Sequence, residues 1–257
     1  SETIALAEAL GRVLAAPVFA RTDQPPFDGS AMDGYAVKSA EIGPGAVLTR
    51  IGESQAGAGF EGIVGSGQCV RIFTGAPMPK GADAVVMQEV TTLEGDRVRF
   101  EKPLLPGQNV RPLGQDFMKR DKLLTPGIEL NPAMVALIAA GNVPEIEVFK
   151  RPVIGLLATG DELVAPGEEL GPGQIVGSNW FGLSALLSPF ASEVIDLGHA
   201  PDDEQTLRAT MKRALEGPAN IIISTGGASV GDHDLVLPAL KALGLDVDFW
   251  KIAIRPG

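Results

Sequence analysis

The sequence predicts a multidomain α/β protein, with a β-rich first part and a doubly wound parallel sheet in its last third. Three observations carry that expectation. The 257 residues exceed one typical domain of about 150. Residues 46–102 hold short strand-like segments separated by glycine-rich turns, with no helical period. After Lys150-Arg151-Pro152, strands alternate with helices of 8–14 residues. That alternation requires right-handed crossovers and a parallel sheet covered on both faces.

The elements follow in chain order. Leu6, Ala9, Leu10, Val13 and Leu14 fall on a 3-4-3-4 spacing, which predicts an amphipathic helix over about 3–15 ended by Pro17. Residues 24–32 are dense in turn formers and predict an irregular loop leading to a strand at 34–37. Strands are expected at 47–51, 68–73, 84–88 and 97–101, with Glu94-Gly95-Asp96 as a hairpin turn joining the last two. Together they suggest a small β-barrel or sandwich. Asn131-Pro132 supplies an N-cap and a first-turn proline for a short buried helix through Met134, Val135, Leu137 and Ile138, stopped at Gly141. Beyond it come strands at 153–158, 194–197, 221–224 and 247–254, and helices at about 179–187, 203–216 and 235–243. Arg255-Pro256-Gly257 forms a turn straight after a strand, the pattern expected of a piece of a longer protein.

Composition excludes several classes. Acidic residues outnumber basic ones 32 to 21, giving a net charge of −11, which repels a nucleic-acid backbone or an anionic lipid surface. One cysteine, Cys69, and two histidines, His199 and His233, cannot build a disulfide framework or a Cys/His zinc cluster. Cys69 reads as a small core residue, and neither histidine has a nucleophile partner at a convincing spacing. The longest wholly apolar run, 133–140, is too short to span a bilayer, and residues 1–20 lack a signal-peptide pattern. A soluble protein of the reducing cytoplasm is expected.

In open α/β sheets, ligands bind beyond the carboxyl ends of the strands. Those ends carry Thr159-Gly160-Asp161-Glu162, then Asp202-Asp203, then Thr225-Gly226-Gly227-Ala228-Ser229-Val230-Gly231 with Asp232 and Asp234 just after. A glycine loop opening into a helix presents consecutive N–H groups to a phosphoryl group. Phosphate beside carboxylates is repulsive unless a cation mediates, so the rim implies Mg²⁺ or another hard divalent ion. Each piece also has a plain structural reading, a tight turn for Gly226-Gly227 and a helix N-cap for Asp202-Asp203. Clustering of all three on one rim favours function, because like charges destabilise one another. In the first half, Ser30-Ala-Met-Asp33-Gly34-Tyr35, the strand exit Phe73-Thr74-Gly75-Ala76-Pro77, and Asp116 after a polar run are the comparable loops.

Five motifs then carry a resemblance: Pro26-Phe-Asp-Gly-Ser-Ala-Met-Asp33-Gly-Tyr-Ala-Val37, Thr74-Gly-Ala-Pro-Met-Pro-Lys-Gly-Ala-Asp-Ala-Val-Val86, Thr159-Gly-Asp-Glu-Leu163, Ser224-Thr-Gly-Gly-Ala-Ser-Val-Gly231 and Lys251-Ile-Ala-Ile-Arg-Pro-Gly257. In this order and spacing the chain resembles the molybdopterin molybdotransferase family of MoeA and the gephyrin E-domain. The last two motifs alone would fit any relative of the smaller molybdopterin-binding fold; the leading segment separates the two.

The resemblance implies an elongated mixed α+β domain in two parts, 1–45 and 116–150, an inserted small β-barrel-like domain at 46–115, and an incomplete α/β molybdopterin-binding domain at 151–257. It implies a homodimer whose cleft combines the α/β domain of one subunit with the first-half loops of the other. The implied reaction inserts molybdate into adenylylated molybdopterin and cleaves the phosphoanhydride with release of AMP, assisted by Mg²⁺ or another divalent cation. By motif, Asp33, Thr74, Asp116, Glu162, Asp202, Asp234 and Lys251 fall on catalytic positions, with Asp202 and Asp234 on the metal. Ser30, Gly226, Gly227, Ser229 and Arg255 fall on substrate-binding positions. Other proteins of molybdenum cofactor biosynthesis are further expected partners, whereas nucleic acid and membranes are not.

Three departures stand out. Arg255 replaces the family's usual lysine, and a planar guanidinium is not equivalent to an ammonium at a phosphate. Asp116 follows Gln115 in place of the usual glutamate. The later Gly-Leu-Pro-Gly-Asn-Pro segment and C-terminal β domain do not occur in these 257 residues, so this stretch alone is expected to be inactive. Two alternatives stay open, a non-catalytic scaffold of the same fold and a molybdopterin adenylyltransferase.

Overall fold

The computed structural model describes residues 1–201, 203–226, 236–246 and 248. Its contacts divide the chain into two units, Ser1–Phe149 and Lys150–Gly257. The first contains β1 (Glu2–Ala5), β2 (Val18–Phe19), β3 (Gly29–Ser30), β4 (Gly34–Val37), β5 (Ala46–Ser54), β6 (Gln68–Ile72), β7 (Ala84–Met87), β8 (Thr91–Glu94), β9 (Arg97–Phe100), β10 (Val110–Arg111), β11 (Lys122–Leu124), helix α1 (Pro132–Ala140) and β12 (Glu145–Val148).

The expected helix over 3–15 does not form. The segment is β1, one 3-10 turn at Leu6–Glu8 and irregular chain, and Gly11 at φ +71° interrupts any helical path. The reason is a distant partner: β1 pairs antiparallel with β12, from Glu2↔Val148 to Ala5↔Glu145. Leu14 N–H also donates to Ile128 O at 3.0 Å. Ladder bonds and burial of Ala9 and Leu14 outweigh the helical spacing, which leaves Leu10 60% exposed. Likewise β2 pairs with β11 and β3 with β10. Chain-initial and late segments therefore share one core of Leu14, Val18, Leu130, Ile138, Ile146 and Val148.

The intervening chain forms one six-stranded sheet, β7-β4-β6-β5-β9-β8, antiparallel throughout except for β5 with β6. Where a small β-barrel or sandwich is expected, the structure has a single curled sheet. Tyr35 on β4 and Phe100 on β9 lie three strands apart, roughly 14 Å in a flat sheet at about 4.8 Å per strand. Their rings meet edge to face with centroids 6.2 Å apart, so the sheet folds over a cluster that also holds Val37, Leu48, Cys69, Val86 and Val98. The turn at Gly95 (φ +64°) is the expected hairpin, but its partner strand is β8, while β7 lies at the opposite edge. Three residues beyond β7 turn as a 3-10 segment, Gln88–Val90, which lets the chain start a new strand.

The helix α1 matches its punctuation. Asn131 Oδ1 accepts from Met134 N–H at 2.9 Å, Pro132 occupies the first turn, and Gly141 follows. Only one face is covered: Ile138 is buried while Ala133, Ala136 and Ala139 are exposed, so the helix is half-buried and not wholly interior.

The second unit contains β13 (Val153–Thr159), β14 (Leu163–Val164), β15 (Ile175–Val176), α2 (Asn179–Leu187), β16 (Glu193–Ala200), α3 (Glu204–Glu216), β17 (Ile221–Thr225) and α4 (Val236–Ala242). Strands β16-β13-β17 form a parallel sheet in that order, with the first strand central. Right-handed crossovers to either side then place successive helices on opposite faces. The packing agrees. Ile154 and Leu156 cluster with Trp180, Leu183 and Leu187 of α2, while Leu157, next after Leu156 and on the other face, packs with Leu207 and Met211 of α3 and Ala239 of α4. Helix α3 buries Leu207, Thr210, Met211 and Ala214, an i, i+3, i+4, i+7 stripe. The strand expected at 247–254 lies, except for Asp248, outside the described residues.

Candidate functional site

In the first unit, three loops are stitched together by backbone hydrogen bonds. Ser30 N–H donates to Ala76 O at 2.9 Å, Ala31 N–H to Asn109 O at 2.9 Å and Met78 N–H to Asp28 O at 2.9 Å. The Asp28 carboxylate accepts from Leu113 N–H at 2.8 Å. This lattice brings Asp33 to the exit of β6. Both the backbone N–H and the hydroxyl of Thr74 donate to Asp33 Oδ1 at 2.8 Å. Those bonds, the backbone one first, hold the Asp33 carboxyl below the ordinary carboxylate value, with the Arg71 charge adding to the effect. Asp33 is thus an anion at neutral pH, and Thr74, its hydroxyl hydrogen directed in a hydrogen bond to that anion, keeps its oxygen lone pairs for a substrate donor. Gly75 at φ +81° turns the chain out immediately after Thr74.

Ser30 sits in the same loop, fully buried, its hydroxyl bonded to the Met32 carbonyl. It shapes the turn that presents Asp33 and does not face solvent. Asp116 is exposed and joins the cluster at its far end, its N–H donating to Gln24 O at 2.9 Å. The structure thus brings Ser30, Asp33 and Thr74 together and attaches Asp116 to the same loop nine residues upstream of Asp33.

In the second unit, the carboxyl ends of the three parallel strands lie side by side, through Thr159↔Ala200 and Ala158↔Thr225. Thr159 is buried and its hydroxyl donates to Thr225 O at 3.1 Å. Gly226 follows at φ +89°, where a Cβ would lie 2.4 Å from Thr159 O. Only glycine fits that close approach. Glu162 is exposed at this rim, just past Gly160 at φ +126°. The ring Nε2 of His199 makes a hydrogen bond with Gly160 O. Asp203 caps α3, accepting from Thr206 N–H at 2.7 Å; bonds from Thr206 lower its carboxyl. Asp202, Gly227, Ser229, Asp234, Lys251 and Arg255 lie outside the described residues.

Among the described residues, no three His, Cys, Asp or Glu side chains gather as a potential metal cluster. Asp203 is engaged as a cap, and among the described residues the loop after β13 adds the acids Asp161 and Glu162. The described residues therefore do not by themselves form a divalent-cation site.

Several features escaped sequence reasoning. Beside the rim is a cavity of about 340 Å³ walled by Trp180, Phe181, Leu163, Asp196 and His199. Helical periodicity assigned the two aromatics to α2 without showing that they face a hollow. In the first unit, Arg71 lies over the rings of Tyr35 and Phe73, at 5.3 and 4.7 Å from their centroids. The available signal was a charged residue at an inward strand position, two after Cys69.

Comparison with known proteins agrees with both halves of this geometry. Residues 1–141 match the family described as MoeA N-terminal region (domain I and II), and residues 155–257 match the probable molybdopterin binding domain. The molybdopterin molybdenumtransferase of Haemophilus influenzae is 40% identical over 258 residues, covering all of this chain and 63% of that protein. The protein of the same name from Nostoc sp. is 39% identical over 262 residues, covering all of this chain and 60% of its own length. A solved structure of a molybdopterin biosynthesis MoeA protein from Pyrococcus horikoshii OT3 aligns with TM-score 0.80 at 37% identity, covering 88% of this chain and 61% of that one. The curled sheet and the α/β unit thus define a MoeA-like fold. The chain belongs to the MoeA family, and it spans about three-fifths of the length of the curated relatives it matches.

Proposed function

We propose that the whole protein acts in molybdenum cofactor biosynthesis, inserting molybdate into adenylylated molybdopterin with cleavage of the phosphoanhydride and release of AMP. The observation that carries this reading is that both halves of the chain match, in order, the two parts of the MoeA family. A molybdopterin adenylyltransferase of the smaller fold would need no first half.

In this reading Asp33 and Thr74 act in the reaction. Asp33, ionised at neutral pH, is a hydrogen-bond acceptor and not a proton donor, and it fixes the Thr74 hydroxyl as an acceptor for substrate. Asp116 and Ser30 serve the same loop cluster, the latter by shaping it. On the rim, Gly226 allows the backbone to approach a phosphoryl group, continued by Gly227 and Ser229, and Glu162 faces solvent beside it. Lys251 and Arg255 supply positive charge. A divalent cation such as Mg²⁺ would be held by Asp202 and Asp234. The domain reading is an elongated α+β part of 1–45 and 116–150, a small β domain of 46–115, and a molybdopterin-binding domain from 151. The protein is proposed to be a homodimer of the cytoplasm. Among the described residues no helix is long and apolar enough to cross a membrane.

The test is incubation of the full-length protein with adenylylated molybdopterin, molybdate and Mg²⁺. Molybdate-dependent AMP accumulation supports the proposal. Bound, uncleaved pterin nucleotide would indicate a scaffold, and, in a parallel incubation with ATP, molybdopterin and Mg²⁺, consumption of ATP would indicate an adenylyltransferase.

A further inference from the structure

We propose that Arg71 is a positioning residue: flanked by the rings of Tyr35 and Phe73, its guanidinium fixes the Asp33-Gly34 turn against the strand end that carries Thr74. The inference rests on the reading above, in which Asp33 and Thr74 act on substrate.

Arg71 lies on β6 three residues before Thr74, and it is the direct cross-strand neighbour of Tyr35 on β4. One guanidinium nitrogen donates to Gly34 O at 2.9 Å, and the other donates to the side-chain oxygen of Gln88. Gln88 N–H in turn donates to Asp33 O at 3.1 Å. The two consecutive carbonyls that define the turn, those of Asp33 and Gly34, are therefore both held, one through Gln88 and one by Arg71 itself. On the other side there is no slack, because a Cβ at Gly34 would lie 1.9 Å from Val86 O. With backbone contact behind and the guanidinium ahead, the Asp33 carboxylate can meet both donors of Thr74 with a single oxygen.

The demands on the side chain are specific to arginine. Donation in two fixed directions needs a planar fork, and contact with rings at 4.7 and 5.3 Å suits a delocalised, weakly hydrated cation. Lysine would keep the charge near Asp33 but lose the fork and the stacking. Arg71 is therefore separable into two contributions, orientation and charge.

Full-length Arg71→Lys and Arg71→Gln proteins test the proposal, with reactivity of the buried Cys69 thiol, located by peptide mapping, as the control for folding of the surrounding cluster. Arg71→Lys should lower kcat for AMP release by about tenfold to a hundredfold, with KM changed less than twofold, as expected for misplacement of a reacting group. In Arg71→Gln, the Asp33 carboxyl carbon followed by NMR should titrate at a higher pH than in the wild type. In Arg71→Lys it should also rise, but by less, because the lysine keeps the charge while the Thr74 bonds to Asp33 are weakened. Wild-type kcat in both variants, or loss of Cys69 protection in both, would overturn the proposal and leave Arg71 a part of the sheet only. If even the wild-type protein releases no AMP, the reaction assigned above fails, whereas the Asp33 titration still decides whether Arg71 governs that carboxylate; an unchanged titration in Arg71→Gln overturns it.

Discussion

The contact of Tyr35 with Phe100 permits a quantitative test of the curl that shapes the first unit. Phe100 is fully buried, Tyr35 nearly so, and the two rings meet edge to face at 6.2 Å. Replacing Phe100 by alanine would cost about 3–5 kcal/mol and risk losing the fold, so leucine is the better probe at roughly 1–2 kcal/mol. An edge-to-face pair contributes about 0.5–1.5 kcal/mol beyond the area it buries. The double-mutant cycle of Tyr35→Leu with Phe100→Leu should therefore return a coupling of about 1 kcal/mol. At a urea slope of about 2 kcal/mol per M, that is a midpoint displacement of about 0.5 M from additivity. Cys69 is the natural reporter, since it is the only cysteine of these 257 residues, is fully buried and belongs to the same cluster. Labelling of its thiol as urea rises reads the opening of this sheet without interference from the second unit. Strict additivity of the two substitutions would refute the curl, because side chains roughly 14 Å apart on a flat sheet have nothing to couple.

Other predictions follow from single sites. Gly226→Ala forces a Cβ to 2.4 Å from Thr159 O at φ +89°, and should lower stability by about 2 kcal/mol or more in thermal unfolding; an unchanged melting temperature would contradict the close approach. Asn131→Ala removes the cap of Met134 N–H and should cost about 1 kcal/mol, measurable in the same way, while Asn131→Asp should recover most of it. Burial pushes the Cys69 thiol up to about 12, against an ordinary value of 9.0. The folded thiol then stays protonated where the unfolded one ionises, so stability should fall between pH 9.0 and about 12, and a Cys69→Ala protein should lack that slope. Asp203, held below its ordinary value of 3.8 by Thr206, contributes its cap above that pH and loses it as pH falls through the lowered value. The Thr206 amide resonance should move in that acid range in the wild type and stay fixed in Asp203→Asn.

What could be read from the sequence divides along the range of the interactions. Asn131-Pro132 and Gly141 act within one helix, and the alternation after residue 150 is local, so α1, α2, α3 and the parallel strands follow from it. The segment 3–15 failed because its decisive partner, Glu145–Val148, is some 140 residues away, and no local period reports a distant ladder. Gly95 marked a hairpin correctly without naming its partner strand, since turn chemistry is local and strand order is not. The same holds for the site. Asp33 and Thr74 were each legible as loop residues beside glycines, yet their shared hydrogen bonds depend on pairing of β4 with β6. Arg71 was invisible because its function lies in whom it faces across the sheet, and strand alternation alone marks it only as inward.

Coupling between pyrophosphate cleavage and metal transfer is the most direct measurement. With full-length protein, adenylylated molybdopterin, Mg²⁺ and limiting molybdate, AMP released and molybdenum bound to the pterin dithiolene can be counted in the same sample. Equal amounts, with neither formed by Asp33→Asn, are the predicted result. AMP released in full without molybdenum on the pterin, or molybdenum transferred with the nucleotide still attached, would contradict it.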